Sequence, residues 1–333
     1  MDIILAKPRG FCAGVDRAID IVELALELYG SPVYMKHEIV HNTHVVERLV
    51  AKGAIFVEDL ADVPEGRVLI FSAHGVPPSL RQEAVQRKLR VIDATCPLVT
   101  RVHLEAQRFA REGYEILLVG HRGHVEMVGT MGEAPMVTTL VHSAEEARTV
   151  SVKNSDKVVA LSQTTLSIDD VSQIMAILKE RFPKITFPPK GDICYATTNR
   201  QTAVRKLARR APVVIVVGSP ASSNANRLRE VAEAAGAKAY MVNVPEEIDA
   251  TWVQGAPAVG VTSGASTPED IFKAVVEKLQ QLGGGQPQDL EALIEDVWFA
   301  MPVDLITQAQ AKGLGKTILE KHAIHQHTKM RVK

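Results

Sequence analysis

The sequence predicts an α/β protein of three related lobes in a pseudo-threefold trefoil. Three observations support this prediction. A short extended stretch, a cysteine and a helical pattern occur in succession three times, in RGFCAGVDRA, DATCPLVTRV and DICYATTNRQ. Each helical pattern leads into an apolar strand and a polar loop. The number of residues from each cysteine to two later polar loops is similar in all three repeats.

A helical pattern follows each of the three cysteines. After Cys12, apolar residues recur every three or four positions until Gly30, where the helix is expected to end. After Cys96, a proline suits the first helical turn, and a similar apolar stripe runs to about Gly113. The residues after Cys194 show the same spacing.

Strands and helices then follow in the same order in each repeat. The first strands are PVYM, EILLVG and PVVIVVG, and the second are AIFV, PMVTTL and AYMV. The third strands end in small polar residues, in VLIFSAHG, VVALSQTTLS and AVGVTSGAST. The closing helices are PSLRQEAVQRKL, SIDDVSQIMAILKERF and PEDIFKAVVEKLQQL. This alternation predicts a small, mostly parallel sheet in each lobe.

The repeats divide the chain into three lobes and an extension. The first lobe covers residues 13–96, the second 97–193 and the third 194–282. The N-terminal strand, within residues 1–12, is expected to complete the third sheet because no fourth cysteine follows that lobe. Residues 283–333 form a C-terminal extension that starts near a linker signal, GGQPQ, and whose last part is expected to be solvated and disordered.

The composition excludes several classes of protein. The chain has 333 residues, of which 46% are hydrophobic, so it is long enough for a substantial core. Its net charge of -1 provides no basic field for nucleic acid. The start, MDIILAKPRG, lacks the apolar run of a signal peptide, and no stretch reaches the roughly 18 apolar residues of a membrane helix. We expect a cytoplasmic protein with neither a nucleic-acid nor a membrane partner.

The three cysteines, Cys12, Cys96 and Cys194, are the candidate metal ligands. An odd number argues against a disulfide framework, and the simplest alternative is three unrelated buried thiols. Because functional groups gather beyond the carboxyl ends of parallel strands, one thiol from each lobe is expected to reach the centre. Three thiolates suit an iron–sulfur cluster, or zinc with a histidine as fourth ligand. The closely spaced cysteines of electron-transfer ferredoxins are absent from the sequence.

Polar side chains recur at matched distances from the cysteines. One polar loop lies 28 or 29 positions after each cysteine, and another lies 62 to 72 positions after it. These loops offer His41, His74, His124, Thr164, Ser222, Ser223, Asn224 and Ser266. Most are neutral donors near helix starts, which suits a diphosphate, and a protonated imidazole would have to supply positive charge. Each residue alone would be expected to be a cap or a surface group, but the repetition favours a binding site.

The motifs resemble those of the 4-hydroxy-3-methylbut-2-enyl diphosphate reductase family, LytB/IspH. They are RGFCAGVDRAI, HEIVHNTHVV, FSAHGVPP, DATCPLVTRVH, GHRGHVEMVG, QTTLS, YATTNRQ, GSPASSNANRL and VTSGAST. The resemblance runs from residue 1 to about residue 282 and resumes weakly at DVWFAMP. It implies the trefoil fold and the last step of the methylerythritol phosphate route to isoprenoids. In that step the allylic alcohol diphosphate is reduced to isopentenyl and dimethylallyl diphosphate, with two electrons and two protons consumed and water released.

The resemblance also implies a role for each candidate residue. Cys12, Cys96 and Cys194 would hold a 4Fe–4S cluster with one open iron, which exposure to oxygen would convert to 3Fe–4S. The diphosphate would bind to His41, His74, His124, Ser222, Ser223, Asn224 and Ser266. Glu126 would deliver a proton, Thr164 would contact both Glu126 and the substrate hydroxyl, and Thr197 would extend the relay. The electron donor would be ferredoxin or flavodoxin, and a monomer or a homodimer is expected.

Three further features of the sequence are a histidine-rich stretch, a departure from the family pattern and a basic tail. The stretch GHRGHVEMVG has a spacing that suits metal ligands, but the family resemblance assigns it to substrate, and His121 is expected to make a supporting hydrogen bond. Pro220 and Ala221 replace more polar residues that the pattern leads us to expect, although the following SSN is intact. The basic tail contains three histidines that would be able to chelate adventitious metal, namely His322, His325 and His327.

Three other functions are compatible with parts of the pattern. A regulator that senses oxygen or iron through a labile cluster would need the cysteines, but it would not need the polar ring or Glu126. A cluster-dependent dehydratase acting on another anionic substrate would use the same site without external electrons. A zinc enzyme would be colourless and stable in oxygen.

Overall fold

The structure is a computed structural model that describes residues 1–290, 293 and 295–330, with residues 324–330 described through their backbone alone. Its described part contains three β-sheets, and all strand pairs within them are parallel. The predicted α/β class with three lobes is therefore confirmed. The exact boundaries of the lobes stay a prediction.

The first lobe contains a four-stranded sheet. After the N-terminal strand β1 (Asp2–Leu5), its elements are α1 (Ala13–Tyr29), β2 (Val33–Lys36), α2 (Thr43–Ala51), β3 (Ala54–Val57), β4 (Val68–Phe71), α3 (Pro78–Gln86) and β5 (Arg90–Asp93). The strand order is β3–β2–β4–β5. All four residues of β4 are buried, as expected for a central strand covered on both faces.

The second lobe contains a three-stranded sheet. Its elements are α4 (Pro97–Arg111), β6 (Glu115–Val119), α5 (Val125–Glu133), β7 (Thr138–Val141), α6 (Ala144–Thr149), β8 (Val158–Ser162) and α7 (Ile168–Arg181). The order is β7–β6–β8, and β8 is buried along its whole length. The polar residues that follow β6 and β8 therefore emerge at the same edge of the sheet.

The third lobe contains α8 (Tyr195–Ala208), β9 (Val213–Val217), α9 (Ser223–Ala234), β10 (Lys238–Val242), α10 (Ala250–Val253), β11 (Ala258–Ser263) and α11 (Glu269–Gln281). A further short strand, β12 (Pro287–Asp289), follows α11. The sheet order is β10–β9–β11–β1–β12. The N-terminal strand thus lies in the third sheet, with Ile3 opposite Val259 on one side and Pro287 on the other.

The C-terminal extension packs against the first lobe. Its two helices are α12 (Val303–Lys312) and α13 (Lys316–Met330). Four of its apolar side chains are buried in the same core as α1, namely Met301, Leu305, Ala309 and Ile318. These side chains cover an apolar face of α1. The burial of Ile318 contradicts the expected solvated tail at this residue, and the disorder of the last part of the extension stays a prediction. Two residues of GGQPQ, Pro287 and Gln288, belong to β12.

His322 is part of this packing. Its Nε2 lies 2.8 Å from Asp20 Oδ2 on α1, and Trp298 Nε1 donates to its Nδ1 at 3.1 Å. Both ring nitrogens therefore have protein partners, which contradicts the suggestion that His322 chelates adventitious metal. The side chains of His325 and His327 lie outside the described residues.

Across the described ranges, no helix has both the length and the apolarity needed to cross a membrane.

Candidate active site

A cavity of about 110 Å³ lies where loops of the three lobes meet. Every residue proposed from the sequence as a ligand, a catalytic group or a binder lines it, namely Cys12, His41, His74, Cys96, His124, Glu126, Thr164, Cys194, Ser222, Ser223, Asn224 and Ser266. The structure thus brings the candidates together in one cavity. The role of each residue stays a prediction.

The three cysteines have equivalent positions, each at the start of a helix. Cys12, Cys96 and Cys194 are the N-cap residues of α1, α4 and α8, and all three thiols are free. Burial, together with the neighbouring Cys12, raises the pKa of Cys96 to about 12 and that of Cys194 to about 11. A bound cation would reverse this effect, because metal ligation stabilises the thiolate.

The donor set fits an iron–sulfur cluster, since cysteine thiolates are its usual ligands. Gly14 lies in the first turn of α1, and a Cβ atom there would lie 2.7 Å from Cys96 Sγ and 3.9 Å from Cys12 Sγ. The missing side chain therefore leaves room beside two of the three sulfurs. In the part of the chain that the structure describes, no three His, Cys, Asp or Glu side chains are grouped as the ligands of a single metal ion.

The sulfur of Cys194 accepts a hydrogen bond from the start of its own helix and contacts a hydroxyl there. The backbone N–H of Thr197 donates to it at 3.4 Å, and Thr197 Oγ1 lies 3.2 Å from the same atom. Hydrogen bonds to ligand sulfurs are among the interactions that tune a cluster. Asn224 Nδ2 lies 3.5 Å from Thr197 Oγ1, so this contact also reaches the third lobe's polar loop.

Three imidazoles form one wall of the cavity. The rings of His41 and His74 stack with centroids 4.2 Å apart, and His124 lies edge-on to them at 5.6 and 6.0 Å. Burial, reinforced by repulsion from the neighbouring imidazoles, lowers the pKa of His124 to about 4 and that of His74 well below its usual value. These two rings are therefore neutral at pH 7 when no anion is bound.

Each of these rings has a protein contact at Nδ1. Glu38 Oε2 lies 3.2 Å from His41 Nδ1, and Ser72 Oγ lies 3.3 Å from His74 Nδ1. His124, the N-cap of α5, accepts the backbone N–H of Glu126 at its Nδ1, at 3.2 Å. The contacts orient the rings and leave the Nε2 atoms for a ligand.

Glu126 and Thr164 form a buried pair across the second lobe. Thr164 donates its backbone N–H to Glu126 Oε1 at 2.7 Å and its hydroxyl to Oε2 at 3.0 Å. Burial raises the pKa of Glu126 to about 7, against the opposing effect of the two Thr164 bonds and with a smaller contribution from Asp192. A carboxyl group with this pKa gains and loses a proton near neutral pH, as a general acid must.

The third lobe contributes the N-terminus of α9. Ser222 caps this helix by accepting the N–H of Ala225, and the side chains of Ser223 and Asn224 occupy its first turn. Asn224 Oδ1 accepts the N–H of Ala265 at 3.0 Å, which fixes the side chain against the next loop. The positive end of a helix next to hydroxyl and amide donors is suited to an anion.

Two residues near the cavity were missed from the sequence. Thr165 lines the cavity and donates its hydroxyl to Ser223 Oγ at 3.0 Å. Gln163 is fully buried and donates to Thr165 Oγ1 at 2.8 Å. The motif QTTLS contains both residues, but only the contact with Ser223 of another lobe distinguishes them from ordinary strand-end residues.

His121 and Pro220 have structural positions beside the site. The His121 ring lies edge-on to His142, with centroids 5.5 Å apart, and its backbone N–H donates to Gln163 Oε1 at 3.0 Å. This bond comes from the main chain, so the supporting hydrogen bond expected of the His121 side chain stays a prediction. The carbonyl of Pro220 accepts from Asn226 Nδ2 at 2.7 Å, which stabilises the loop before α9.

Known proteins resemble this chain over most of its length. A family model described as LytB protein matches residues 3–280. The chain is 54% identical to 4-hydroxy-3-methylbut-2-enyl diphosphate reductase 2 of Burkholderia mallei, over 90% of this chain and 92% of that one. It is likewise 54% identical to 4-hydroxy-3-methylbut-2-enyl diphosphate reductase of Acidothermus cellulolyticus, over 93% and 92% of the two chains.

Solved structures agree with the sequence relatives. The structure of the E-1-hydroxy-2-methyl-but-2-enyl-4-diphosphate reductase from Plasmodium falciparum matches with a TM-score of 0.90 and 40% identity, over 94% of this chain and 99% of that one. A structure of (E)-4-hydroxy-3-methyl-but-2-enyl diphosphate reductase, described as the terminal enzyme of the non-mevalonate pathway, matches with a TM-score of 0.62 and 32% identity. That match covers 84% of this chain and 100% of the other.

Proposed function

Because the chain belongs to the LytB family, we propose that it catalyses the reductive dehydroxylation of 4-hydroxy-3-methylbut-2-enyl diphosphate to isopentenyl and dimethylallyl diphosphate. Two electrons and two protons enter, the C–O bond breaks, and the hydroxyl leaves as water. The observation that carries the proposal is the meeting of three thiols, a wall of imidazole and hydroxyl groups and the Glu126–Thr164 pair in one cavity. Anaerobic turnover of that diphosphate tests it.

In this proposal Cys12, Cys96 and Cys194 hold a 4Fe–4S cluster. When bound, the cluster supplies electrons and an open, Lewis-acidic iron. Oxygen would convert it to 3Fe–4S. The electrons come from a small carrier such as ferredoxin or flavodoxin, and the cytoplasm is the expected location.

Gly14 offers a direct test of the cluster site. We expect Gly14→Ala to fold normally but to bind several-fold less iron, because the new Cβ would meet Cys96 Sγ at 2.7 Å and displace a ligand rather than the backbone. Iron and sulfide per chain, measured after anaerobic reconstitution, check this. Gly66→Ala is a control for a glycine substitution with open space around it, although its positive φ adds local strain. Equal iron in Gly14→Ala and wild type would contradict the assignment.

The polar end of the cavity would hold the diphosphate. The described residues that line the cavity include no lysine or arginine, so the positive charge must come from imidazolium groups and from helix N-termini. His74 and His124 are neutral in the free protein, and a diphosphate beside them would raise both pKa values. Substrate binding is therefore coupled to proton uptake at neutral pH.

Proton uptake has a measurable consequence. We expect about one proton to be taken up per substrate bound at pH 7, and binding to weaken as the pH rises through the raised histidine pKa values. Calorimetry in buffers of different ionisation enthalpy counts the protons. His74→Asn should lower the count, because Ser72 Oγ is placed to accept from a protonated His74 Nδ1. His142→Asn, which changes a ring outside the described cavity lining, should leave the count unchanged. Binding with no proton exchange in the wild type would contradict this account of the diphosphate site.

Glu126 and Thr164 would supply the proton that makes hydroxide a better leaving group. The protonated carboxyl gives its proton towards the substrate hydroxyl through Thr164 Oγ1, which lies 3.0 Å from Glu126 Oε2. Because the pKa of Glu126 is about 7, the proton is present below neutral pH and is lost above it. Burial of the pair keeps bulk water away from the reacting centre.

A further inference from the structure

Arg200 is the largest fully buried side chain in the described part of the protein. It lies on α8, the helix that Cys194 caps, and its Nη1 donates to the carbonyl of Ala196 at 3.1 Å. Its Nη2 donates to the carbonyl of Gly10 at 2.8 Å, two residues before Cys12. One guanidinium group thus connects the segments that bear two of the three cysteines.

The carboxylate of Glu295 neutralises this guanidinium group. Glu295 Oε1 and Oε2 lie 3.0 and 3.2 Å from Arg200 Nη1, and Asn199 Nδ2 donates to Oε1 at 3.1 Å. Glu295 belongs to the C-terminal extension, whose role the sequence left open. An unpaired buried charge is costly, so the side chain from the extension stabilises the buried position of Arg200.

Both carbonyls that Arg200 contacts lie two residues from a cysteine, since Ala196 follows Cys194 and Gly10 precedes Cys12. Arg200 is six residues after Cys194, a rise of about 9 Å along a helix, and the loop that it holds reaches Cys12 within two residues. A full charge at such a distance in a buried region alters the energy of a redox centre, because net charge helps set its potential. Removing the carboxylate leaves a positive charge that favours the more negative, reduced cluster.

We propose that Glu295 is a positioning residue for the iron–sulfur centre, acting through Arg200 to hold the Cys12 and Cys194 segments and to set the electrostatic potential at their sulfurs. The inference rests on the proposed function only in requiring a cluster on these cysteines. It gives the C-terminal extension a part in cluster chemistry although no described cavity-lining residue comes from it.

The test compares reconstituted wild type with Glu295→Gln, Glu295→Asp and Glu233→Gln. Glutamine at position 295 keeps the shape of the side chain and removes its charge, whereas aspartate keeps the charge. Glu233→Gln is the control, because the ion pair of Glu233 with Arg229 is exposed. The readouts are the midpoint potential of the cluster and the rate of iron loss to a chelator in air. We expect Glu295→Gln to show a more positive potential and several-fold faster iron loss, and Glu295→Asp and Glu233→Gln to stay near wild type.

A potential unchanged in Glu295→Gln, or shifted equally in Glu295→Asp, would overturn the proposal. If Glu295→Gln does not fold, the double variant Arg200→Met/Glu295→Gln decides, because it removes both charges. Recovery of folding and of the wild-type potential, with iron loss still faster than in wild type because the bonds of Arg200 to Gly10 and Ala196 are gone, would support the proposal, and a double variant that also does not fold would refute it. A wild-type protein that loads iron but does not turn over the diphosphate would contradict the proposed function and leave the role of Glu295 intact. The midpoint potential of the cluster is measured without substrate.

Discussion

Replacement of Glu126 by glutamine is expected to lower turnover by about 10²- to 10⁴-fold while substrate binding is largely retained. Glutamine fits the same buried space and still accepts a hydrogen bond from Thr164, but it has no acidic proton to give. Steady-state turnover and substrate affinity, measured on protein with equal iron content, separate the two effects. Near-normal turnover would remove Glu126 from the role of proton donor.

The pH dependence of turnover provides a second check on the same residue. Wild-type activity should fall as the pH rises through about 7, because the raised pKa of Glu126 makes the protonated form scarce above that point. The groups that act on this carboxyl are Thr164, which lowers its pKa, and Asp192, which raises it. Glu115→Gln is a matched control and should keep the wild-type pH dependence of turnover. Glu115 accepts the backbone N–H groups of Lys153 and Asn154 in an exposed loop.

Replacement of any one of the three cysteines by serine is expected to remove most of the iron and to lower turnover by more than about 100-fold. Loss of a group that only supports a ligand typically costs about 10- to 100-fold in metal affinity or activity, so loss of a ligand should cost more. Iron and sulfide analysis, together with the visible absorption of the reconstituted protein, provide the measurement.

The equivalence of Cys12, Cys96 and Cys194 strengthens this test. All three are N-cap residues of corresponding helices, so the three variants should show the same loss. The chain has no other cysteine to take the place of a missing ligand. A fully loaded cluster in any single variant would contradict the three-ligand site.

The repeated pattern around the cysteines predicted the fold, because the local spacing of apolar residues decides which segments form strands and which form helices. An apolar strand, a cysteine at the helix start and an amphipathic helix are each visible within about 20 residues, and parallel pairing follows from their alternation. The meeting of the polar loops at one cavity follows in turn, because parallel strands deliver their carboxyl ends to one edge. Cys96 and His124 could thus be assigned to one site from their positions in the sequence.

Contacts between distant segments could not be predicted in this way. The strand β12 has only three residues and pairs with β1 through its backbone, so the side chains of Pro287 and Gln288 carry no signal for it. Asp20 and His322 are 302 positions apart, and each is an ordinary helical polar residue on its own. The same holds for Thr165 and Ser223, whose hydrogen bond joins two lobes.

Reduction of an allylic diphosphate in this cavity is tested by anaerobic turnover of 4-hydroxy-3-methylbut-2-enyl diphosphate. The protein is reconstituted with iron and sulfide and reduced with a viologen dye. We expect the dye to be oxidised, two electrons per substrate, with isopentenyl and dimethylallyl diphosphate as products. An iron-loaded protein that leaves both the dye and the diphosphate unchanged would contradict the claim and would favour a dehydratase or a sensor built on the same three thiols.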